Sequence, residues 1–270
     1  MSNNNIKVAV CISGLVRYWK VTESLMSRWN DFYDDVEFDF YLSTWKDGVY
    51  VRPDKDFGVD KNIDYEKCSF LTAYELIDSK ILEFGKHLSG EYFVKSINSV
   101  FNLLKRHYKQ YDFVLWTRND AVYSKAFLDN LVKMNKKYIA PNIISNYDGM
   151  SKPDGSHWSL KDYYFIGHQD TMNVFCDIHR QFLNWEDKSI LPDPPYFLGE
   201  FFIQNKIYLN RLGYICSLLK SENEFELKPH KRNQQAAYSG EKLINLIENR
   251  GVDFVIENFK TAKDLKGFGI

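Results

Sequence analysis

Apolar and polar residues alternate along the first part of the chain in blocks that predict a strand, a helix and a second strand. Residues 7–13, KVAVCIS, are almost continuously apolar and rich in β-branched side chains, which indicates a strand buried on both faces. Apolar residues then recur at helical intervals over residues 18–32, and VEFDFYLSTW, Val36–Trp45, predicts the second strand. This order is the opening unit of a doubly wound fold.

The same alternation continues through the middle of the chain. Residues 91–110 predict a long amphipathic helix whose basic end suits the helix dipole. Residues 111–120, YDFVLWTRND, predict a buried strand, and a helix at 125–134 and a strand at 136–143 follow it. Strands that alternate with helices imply an α/β fold with a mostly parallel sheet flanked by helices.

The second half of the chain begins with a polar loop that contains glycine, at residues 144–160. The remaining predicted elements are a strand at 162–167, helices at 171–182 and 198–213, a strand at 224–230 and a final helix at Gly240–Arg250. We therefore predict a single domain over residues 1–270 that ends in a C-terminal helical extension.

Composition narrows the classes of function. The chain has 35 basic and 36 acidic residues, so no global field draws it onto nucleic acid or an anionic membrane. Its four cysteines are widely spaced and form no CxxC pair, so neither a zinc site nor a disulfide framework is indicated, and a cytoplasmic location is expected. The polar N-terminus and the lack of an apolar run of about 18 residues predict no signal peptide and no transmembrane segment.

Candidate chemistry lies directly after the predicted strands, because ligands bind outside the carboxyl ends of the strands in an open parallel sheet. These positions are Ser13-Gly14, Thr44-Trp45, Arg118 to Asp120 and Gly167-His168. Gly14 would let backbone N–H groups approach a phosphate at a helix N-terminus, but SGLVR lacks the spacing of a dinucleotide-binding turn and is not a P-loop. The alternative is an ordinary tight turn.

Asp120 is the clearest single candidate for a functional residue. It follows a strand that is too apolar to lie anywhere but in the interior, and an unpaired buried carboxylate is strongly unfavourable. We therefore expect Asp120 to face solvent, a cation or a ligand. Mg²⁺ and Mn²⁺ prefer carboxylate oxygens and take substrate phosphates as further ligands. The alternatives are a salt bridge between Asp120 and Arg118, or a helix cap.

Three further segments carry candidate residues. PHKRN, residues 229–233, places an imidazole beside two cations, which either compensate an anionic ligand or form a solvated run of charge. Glu200 follows a proline-rich loop at the predicted start of an apolar helix, where it is either a general base for a hydroxyl group or a helix cap. His168 and Asp170 either contact a substrate or, in the case of Asp170, cap the following helix.

Five short motifs, taken in order along the chain, resemble those of bacterial and viral glycosyltransferases of the WavE-like type, which are related to lipopolysaccharide and capsule synthesis. The motifs are an SGxxR turn at 13–17, an ST-W strand end at 43–45, the helix YFVKSINSVFNLLK, an R-x-D strand end at 118–120 and a D-x-x-F-I-G strand at 162–167. Together they cover roughly residues 6–210.

The resemblance implies a GT-A-like, Rossmann-like domain with a nucleotide-binding half at 6–143 and an acceptor-binding half at 144–270. It also implies transfer of a sugar from a nucleoside diphosphate sugar, such as UDP-glucose, to a hydroxyl of a glycan or other acceptor. Donor contacts would come from Ser13, Gly14, Arg17, Thr117, Arg118, Lys231 and Arg232, acceptor contacts from His168 and Asp170, and catalysis from Asp120 and Glu200. Asp120 and His230 would hold Mg²⁺ or Mn²⁺.

The chain departs from this pattern at one position and leaves other functions open. It has RND where such enzymes have a DxD element, so Arg118 could hold the donor without a cation. Transfer to a DNA base, as in phage relatives, is an alternative against which the near-zero net charge argues. A catalytically silent nucleotide- or glycan-binding module is another. Nucleotidyl transfer to a sugar phosphate usually uses a glycine-rich loop, whereas SGLVRYWK has one glycine.

Overall fold

The computed structural model describes residues 5–46, 60, 62–78, 88–123, 125, 142–145, 150–151, 158–159, 163–184, 194–211, 216–220 and 237–258. The strands are β1 (Ile6–Ser13), β2 (Val36–Trp45), β3 (Leu71–Ile77), β4 (Phe113–Arg118), β5 (Ala121–Tyr123), β6 (Asn142–Ser145), β7 (Met150–Ser151), β8 (Trp158–Ser159), β9 (Tyr164–Gly167), β10 (Tyr208–Arg211), β11 (Cys216–Lys220) and β12 (Ala237–Ser239). The helices are α1 (Trp19–Met26), α2 (Trp29–Phe32), α3 (Leu88–Arg106), α4 (Gln169–Met172), α5 (Ile178–Leu183), α6 (Pro194–Gln204), α7 (Gly240–Arg250) and α8 (Val252–Asn258).

The main sheet has seven strands in the described part of the chain, in the order β10-β6-β9-β4-β1-β2-β3. β1 pairs in parallel with β2 and β4, β2 with β3, and β6 with β10, whereas β9 runs antiparallel to both β4 and β6. The predicted α/β class, a mostly parallel sheet flanked by helices, is confirmed. The division into halves at 6–143 and 144–270 stays a prediction.

The two faces of β1 explain why its sequence is almost continuously apolar. Val10 and Ile12 lie in the core on one face of the sheet, together with Trp19 of α1. Ala9 and Cys11 lie in the core on the other face, where they join side chains of α3, α5 and α6. Burial on both faces is typical of parallel strands between two layers of helices.

Several predicted elements differ from the observed ones. The helix predicted at 18–32 is divided into α1 and α2, and the one predicted at 171–182 consists of part of α4, a 3₁₀ segment at Asn173–Asp177 and α5. The helix predicted at 198–213 ends instead at Gln204. Asn205 Nδ2 donates to the Phe201 carbonyl at 2.7 Å, and Lys206 then takes a φ of 55°, so the chain leaves the helix and forms β10.

Some predicted elements fall largely outside the described residues. The strand predicted at 136–143 is described only from Asn142, where β6 begins. The helix predicted at 125–134 is described only at Lys125, and the strand predicted at 224–230 lies entirely outside the described residues.

A second, three-stranded sheet in the order β12-β11-β5 continues from the end of β4. The Leu219 N–H donates to the Asp120 carbonyl at 2.7 Å, immediately before β5 begins. Helix α7 matches the predicted final helix, and a Cβ added at Gly240 would lie 2.4 Å from the Tyr18 ring. The C-terminal helical extension therefore packs tightly against the turn between β1 and α1. No helix among the described residues is long and apolar enough to cross a membrane.

Candidate functional site

β1 and β4 end level with one another at the carboxyl edge of the main sheet, and the neighbouring β2 continues to Trp45. Ser13 of β1 is paired with Ser43 of β2 on one side and with Arg118 of β4 on the other. Because these strands are parallel, the segments that follow them, which include Gly14 and Asp120, meet at this edge. The carboxyl edge is where an open sheet binds its ligand, so it is the candidate site.

The turn after β1 depends on the backbone conformation of Gly14 and on a hydrogen bond from Thr44. Gly14 has a φ of +108°, a conformation that strains other residues, and its carbonyl accepts a hydrogen bond from Thr44 Oγ1 at 2.9 Å. No heavy atom of the described residues beyond its chain neighbours lies within 4 Å of the position a Cβ would take, so this part of the chain leaves that side of Gly14 open. The Ser13 hydroxyl, in contrast, is buried and accepts from Trp116 Nε1 at 2.8 Å. The Ser13 side chain therefore stabilises the core of the sheet, whereas the described residues leave one side of Gly14 uncovered.

The N-terminus of α1 is occupied by the protein itself. The Asp60 carboxylate accepts a hydrogen bond from the Trp19 N–H, and the Asp60 N–H donates to the Val16 carbonyl at 3.1 Å. Burial raises the pKa of Asp60, and the hydrogen bond from Trp19 offsets this only in part. The expectation that a ligand phosphate sits at this helix N-terminus is therefore not supported, because a carboxylate already binds there.

Arg118, Asp120 and Arg17 form a buried cluster at the centre of the edge. Arg118 Nε donates to Asp120 Oδ1 and Arg118 Nη2 to Oδ2, both at 2.8 Å, so the pair is bidentate. Arg17 Nη1 lies 3.8 Å from Asp120 Oδ2. The Asp120 side chain is only 4% exposed, whereas those of Arg17 and Arg118 are 13% and 27% exposed. Arg17 and Arg118 are thus the more exposed members of the cluster.

These contacts determine the charge state of Asp120. Burial alone would raise the pKa of this carboxyl, but the charge and hydrogen bonds of Arg118 and the charge of Arg17 hold it below its ordinary value. Asp120 is therefore ionised at neutral pH. The carboxylate thus accepts hydrogen bonds from Arg118 in its charged form.

Two neighbours of Asp120 fix the backbone around the cluster. Asn119 Nδ2 donates to the Arg17 carbonyl at 2.8 Å, and Thr22 Oγ1 donates to the Asn119 carbonyl at 2.8 Å. Asn119 Oδ1 is buried and has no hydrogen-bond donor in the described part of the chain. Thr117 is fully buried, and its hydroxyl accepts from Tyr123 Oη at 2.5 Å. The Thr117 hydroxyl therefore bonds within the protein and is not exposed to a sugar donor.

The residues present do not fit the predicted metal site. Both Asp120 oxygens accept hydrogen bonds from Arg118, so a divalent cation would have to displace a guanidinium and then lie beside two positive charges. His230, the predicted second ligand, is outside the described residues. Among the residues that are described, no group of three His, Cys, Asp or Glu side chains could hold a metal ion.

His168 and Asp170 do not lie at the carboxyl edge, contrary to the expectation from sequence. Because β9 is antiparallel, Gly167 pairs with Val114 near the beginning of β4. His168 Nδ1 lies 3.1 Å from the Asp112 carbonyl, and its ring stacks on Phe113 with centroids 4.9 Å apart. Asp170 is exposed in the first turn of α4, where His168 takes the N-cap position. The structure thus separates these two residues from Asp120.

The remaining predicted site residues are only partly placed. Glu200 is half-buried in the second turn of α6, because that helix begins at Pro194 and not next to Glu200. Lys231 and Arg232 lie outside the described residues, between β11 and β12, which both belong to the sheet that continues from Asp120. Two residues were not identified from the sequence. Asp60 accepts a hydrogen bond from Trp19 of α1, 41 positions earlier in the chain, and the Asn119 side-chain amide oxygen is buried. No local pattern marks either residue.

The chain was compared with family models, with curated protein sequences and with solved structures. No family model and no curated protein sequence matches the chain. Among solved structures, it is similar to the crystal structure of a glycosyltransferase involved in the glycosylation of the major capsid of PBCV-1. The identity is 10% and the TM-score 0.44, over 77% of this chain and 82% of that one. At this level of similarity, the chemistry of the carboxyl edge has to follow from its own geometry.

Proposed function

We propose that the protein is a glycosyltransferase that transfers a sugar from a nucleoside diphosphate sugar to a hydroxyl of a glycan or another acceptor. The observation that carries this proposal is the pair of guanidinium groups, Arg17 and Arg118, held by Asp120 at the carboxyl ends of β1 and β4. Arginine binds phosphate oxygens through planar, charge-assisted hydrogen bonds. A diphosphate at the carboxyl edge would also find the open side of Gly14.

In the proposed reaction, the bond between the anomeric carbon and the diphosphate oxygen breaks, and the diphosphate leaves with the electron pair. The acceptor hydroxyl oxygen forms the new bond to the anomeric carbon and loses its proton. Arg17 and Arg118 would stabilise the negative charge that grows on the leaving diphosphate. Lys231 and Arg232 would add positive charge to the same group. Glu200 is the candidate base for the proton if configuration inverts, and a retaining reaction would remove that role.

A screen of UDP-, GDP-, ADP- and CMP-sugars by thermal unfolding tests the proposal. A ligand at a hundredfold excess over Kd raises the free energy of unfolding by about 2.7 kcal/mol, so the correct donor should raise Tm clearly. Incubation of that donor with glycan acceptors should then release the nucleoside diphosphate. If no nucleotide sugar raises Tm, with or without Mn²⁺, the proposal is wrong.

A nucleotide-binding module without catalysis is the second candidate. It is favoured by the engagement of both Asp120 oxygens with Arg118, because a carboxylate held in this way is not available to take a proton from an acceptor hydroxyl. The same screen separates the two functions. A module would bind the donor but release no nucleoside diphosphate above the buffer rate, with or without acceptor.

A further inference from the structure

We infer that residues 239–241 of the C-terminal extension are part of the candidate site, because they hold Tyr18 in the conformation that shapes the turn between β1 and α1. This turn, residues 14–18, begins with Gly14 at the carboxyl edge. Tyr18 and Glu241 are therefore positioning residues. These roles rest on the proposed function in one respect, that a nucleoside diphosphate binds beside the open side of Gly14.

The first support is the backbone conformation of Tyr18. Its φ of 51° and ψ of 45° lie in the left-handed region, which is unfavourable for a bulky side chain. Tyr108 and Lys206 also have positive φ, but they follow α3 and α6, where a left-handed residue commonly ends a helix. Tyr18 instead precedes α1 at the N-cap, where an extended conformation is typical. Such a conformation persists only where the surroundings hold it, and it is often found at functional sites.

The second support is the set of contacts that hold the Tyr18 side chain. Its hydroxyl donates to Glu241 Oε1 at 2.8 Å, and Ser239 Oγ donates to Glu241 Oε2 at 3.1 Å. Ser239 Oγ also accepts from the Lys242 N–H at 3.2 Å and so caps α7. The buried ring lies so close to Gly240 that a Cβ there would be 2.4 Å from it. The ring and the start of α7 therefore fit together only while position 240 has no side chain.

The third support is the connection from Tyr18 to the carboxyl edge. The Tyr18 carbonyl accepts from the Val21 N–H at 2.9 Å in the first turn of α1. On the other side of Tyr18, the Arg17 carbonyl accepts from Asn119 Nδ2 at 2.8 Å. Rotation of φ at Tyr18 to the ordinary helical value, by about 110°, would turn the Arg17 carbonyl away from Asn119 if α1 stayed in place. The contacts of Tyr18 with residues 239–241 therefore set the course of the turn.

The decisive experiment compares Tyr18→Ala with Tyr18→Gly. Both variants lose the ring and the hydroxyl, but glycine adopts the left-handed conformation readily and alanine does not. Calorimetry measures the Kd of UDP, GDP, ADP and CDP for the wild type, and the tightest of these is the probe for the variants. We expect Tyr18→Ala to weaken binding by about 10-fold and Tyr18→Gly by about threefold or less. If the ring contributes packing alone, glycine is at least as harmful as alanine, and that order would overturn the inference.

Gly240→Ala tests the same contact from the C-terminal side. The added methyl group displaces the Tyr18 ring, so we expect a loss of affinity of about 10-fold in the wild-type background. In a Tyr18→Gly background the ring is absent, and the loss should be less than about twofold. Equal losses in the two backgrounds would mean that the methyl group does not act through Tyr18.

Glu248→Gln is the matched control, because Glu248 of α7 also contacts α1. Its Oε1 accepts from Lys20 Nζ at 2.5 Å, and about half of each side chain is exposed, at 51% for Glu248 and 62% for Lys20. We expect the Kd to stay within about twofold of the wild-type value. A loss as large as that in Gly240→Ala would show that any loosening of α7 from α1 impairs the site, and would contradict the specific role of Tyr18.

A readout without ligand separates this role from the proposed function. The side-chain amide hydrogens of Asn119, which donate to the Arg17 carbonyl, should exchange with solvent about 10-fold faster in Tyr18→Ala, and at nearly the wild-type rate in Tyr18→Gly, as followed by NMR. An unchanged rate in folded Tyr18→Ala would overturn the inference. If the rates follow the expected order but no nucleoside diphosphate binds the wild type, the proposed function fails and the role of Tyr18 stands. Should Tyr18→Ala fail to fold, Tyr18→Phe loses only the hydrogen bond to Glu241 and should raise the rate by a smaller factor.

Discussion

At the carboxyl edge of the main sheet, Asp120 lies among two arginines, whereas towards the amino ends of the strands Asp39 lies in a network of a different kind. Asp39 Oδ2 accepts from Lys109 Nζ at 2.9 Å and from Tyr111 Oη at 2.7 Å, and Thr72 Oγ1 donates to Oδ1 at 3.1 Å. Tyr41 Oη lies 2.7 Å from Tyr111 Oη. One carboxylate here meets one ammonium group and a set of hydroxyls.

The difference between the two regions is in their balance of charge. The charges of Asp39 and Lys109 cancel, and the hydroxyls complete a network that joins β2, β3 and the start of β4. At the carboxyl edge, the Asp120 carboxylate meets two guanidinium groups instead of one ammonium group. A carboxylate within a hydrogen-bond network therefore does not by itself mark a binding site.

The largest effect on stability is expected for Asp120→Asn. The substitution leaves two largely buried guanidinium groups without their carboxylate, and breaking a buried ion pair costs about 3 kcal/mol or more. Asp39→Asn should cost about half of that, because Lys109 is 49% exposed and can regain water. Urea unfolding of both variants measures the difference. Equal losses would mean that the two networks differ less than their geometry indicates.

A smaller effect is expected at Asp60. Its contribution to the free energy of unfolding should change with pH in the opposite direction to that of Asp120. The pKa of Asp120 is lowered in the folded protein, so its stabilisation is present above the ordinary aspartate pKa and is lost as pH falls through the lowered value. The pKa of Asp60 is raised by burial, so its contribution is present below the ordinary value and is lost as pH rises through the raised one.

Asp60→Asn tests this sign, because the amide oxygen can still accept the hydrogen bond from the Trp19 N–H but no longer titrates. As pH rises from about 4, close to the ordinary pKa of aspartate, to about 6, the free energy of unfolding of the variant should increase relative to that of the wild type. Urea unfolding at a series of pH values gives the two curves. Parallel curves would show that Asp60 is not desolvated in the folded protein.

The sequence predicted those features that are encoded within a single strand or helix. Continuous apolar runs indicated β1 and β4 because parallel strands are buried on both faces, and the predicted alternative for Asp120, a salt bridge with Arg118, is confirmed. The direction of β9 could not be predicted, because DYYFIG has the same pattern in either direction, and His168 was therefore assigned to the wrong edge. Short strands such as β12 carry too few residues for a periodic signal.

His168→Gln makes the smallest expected change and tests the separation of the two edges directly. His168 lies beside the Asp112 carbonyl and on the Phe113 ring, at the beginning of β4, whereas Asp120 follows the end of that strand. The Kd for the nucleoside diphosphate should change by less than about twofold, which is within the range of a neutral surface substitution. The free energy of unfolding should fall by about 1 kcal/mol, the typical contribution of a hydrogen bond such as the one between His168 Nδ1 and the Asp112 carbonyl. A large loss of affinity in a stable His168→Gln protein would mean that the binding site extends across the sheet.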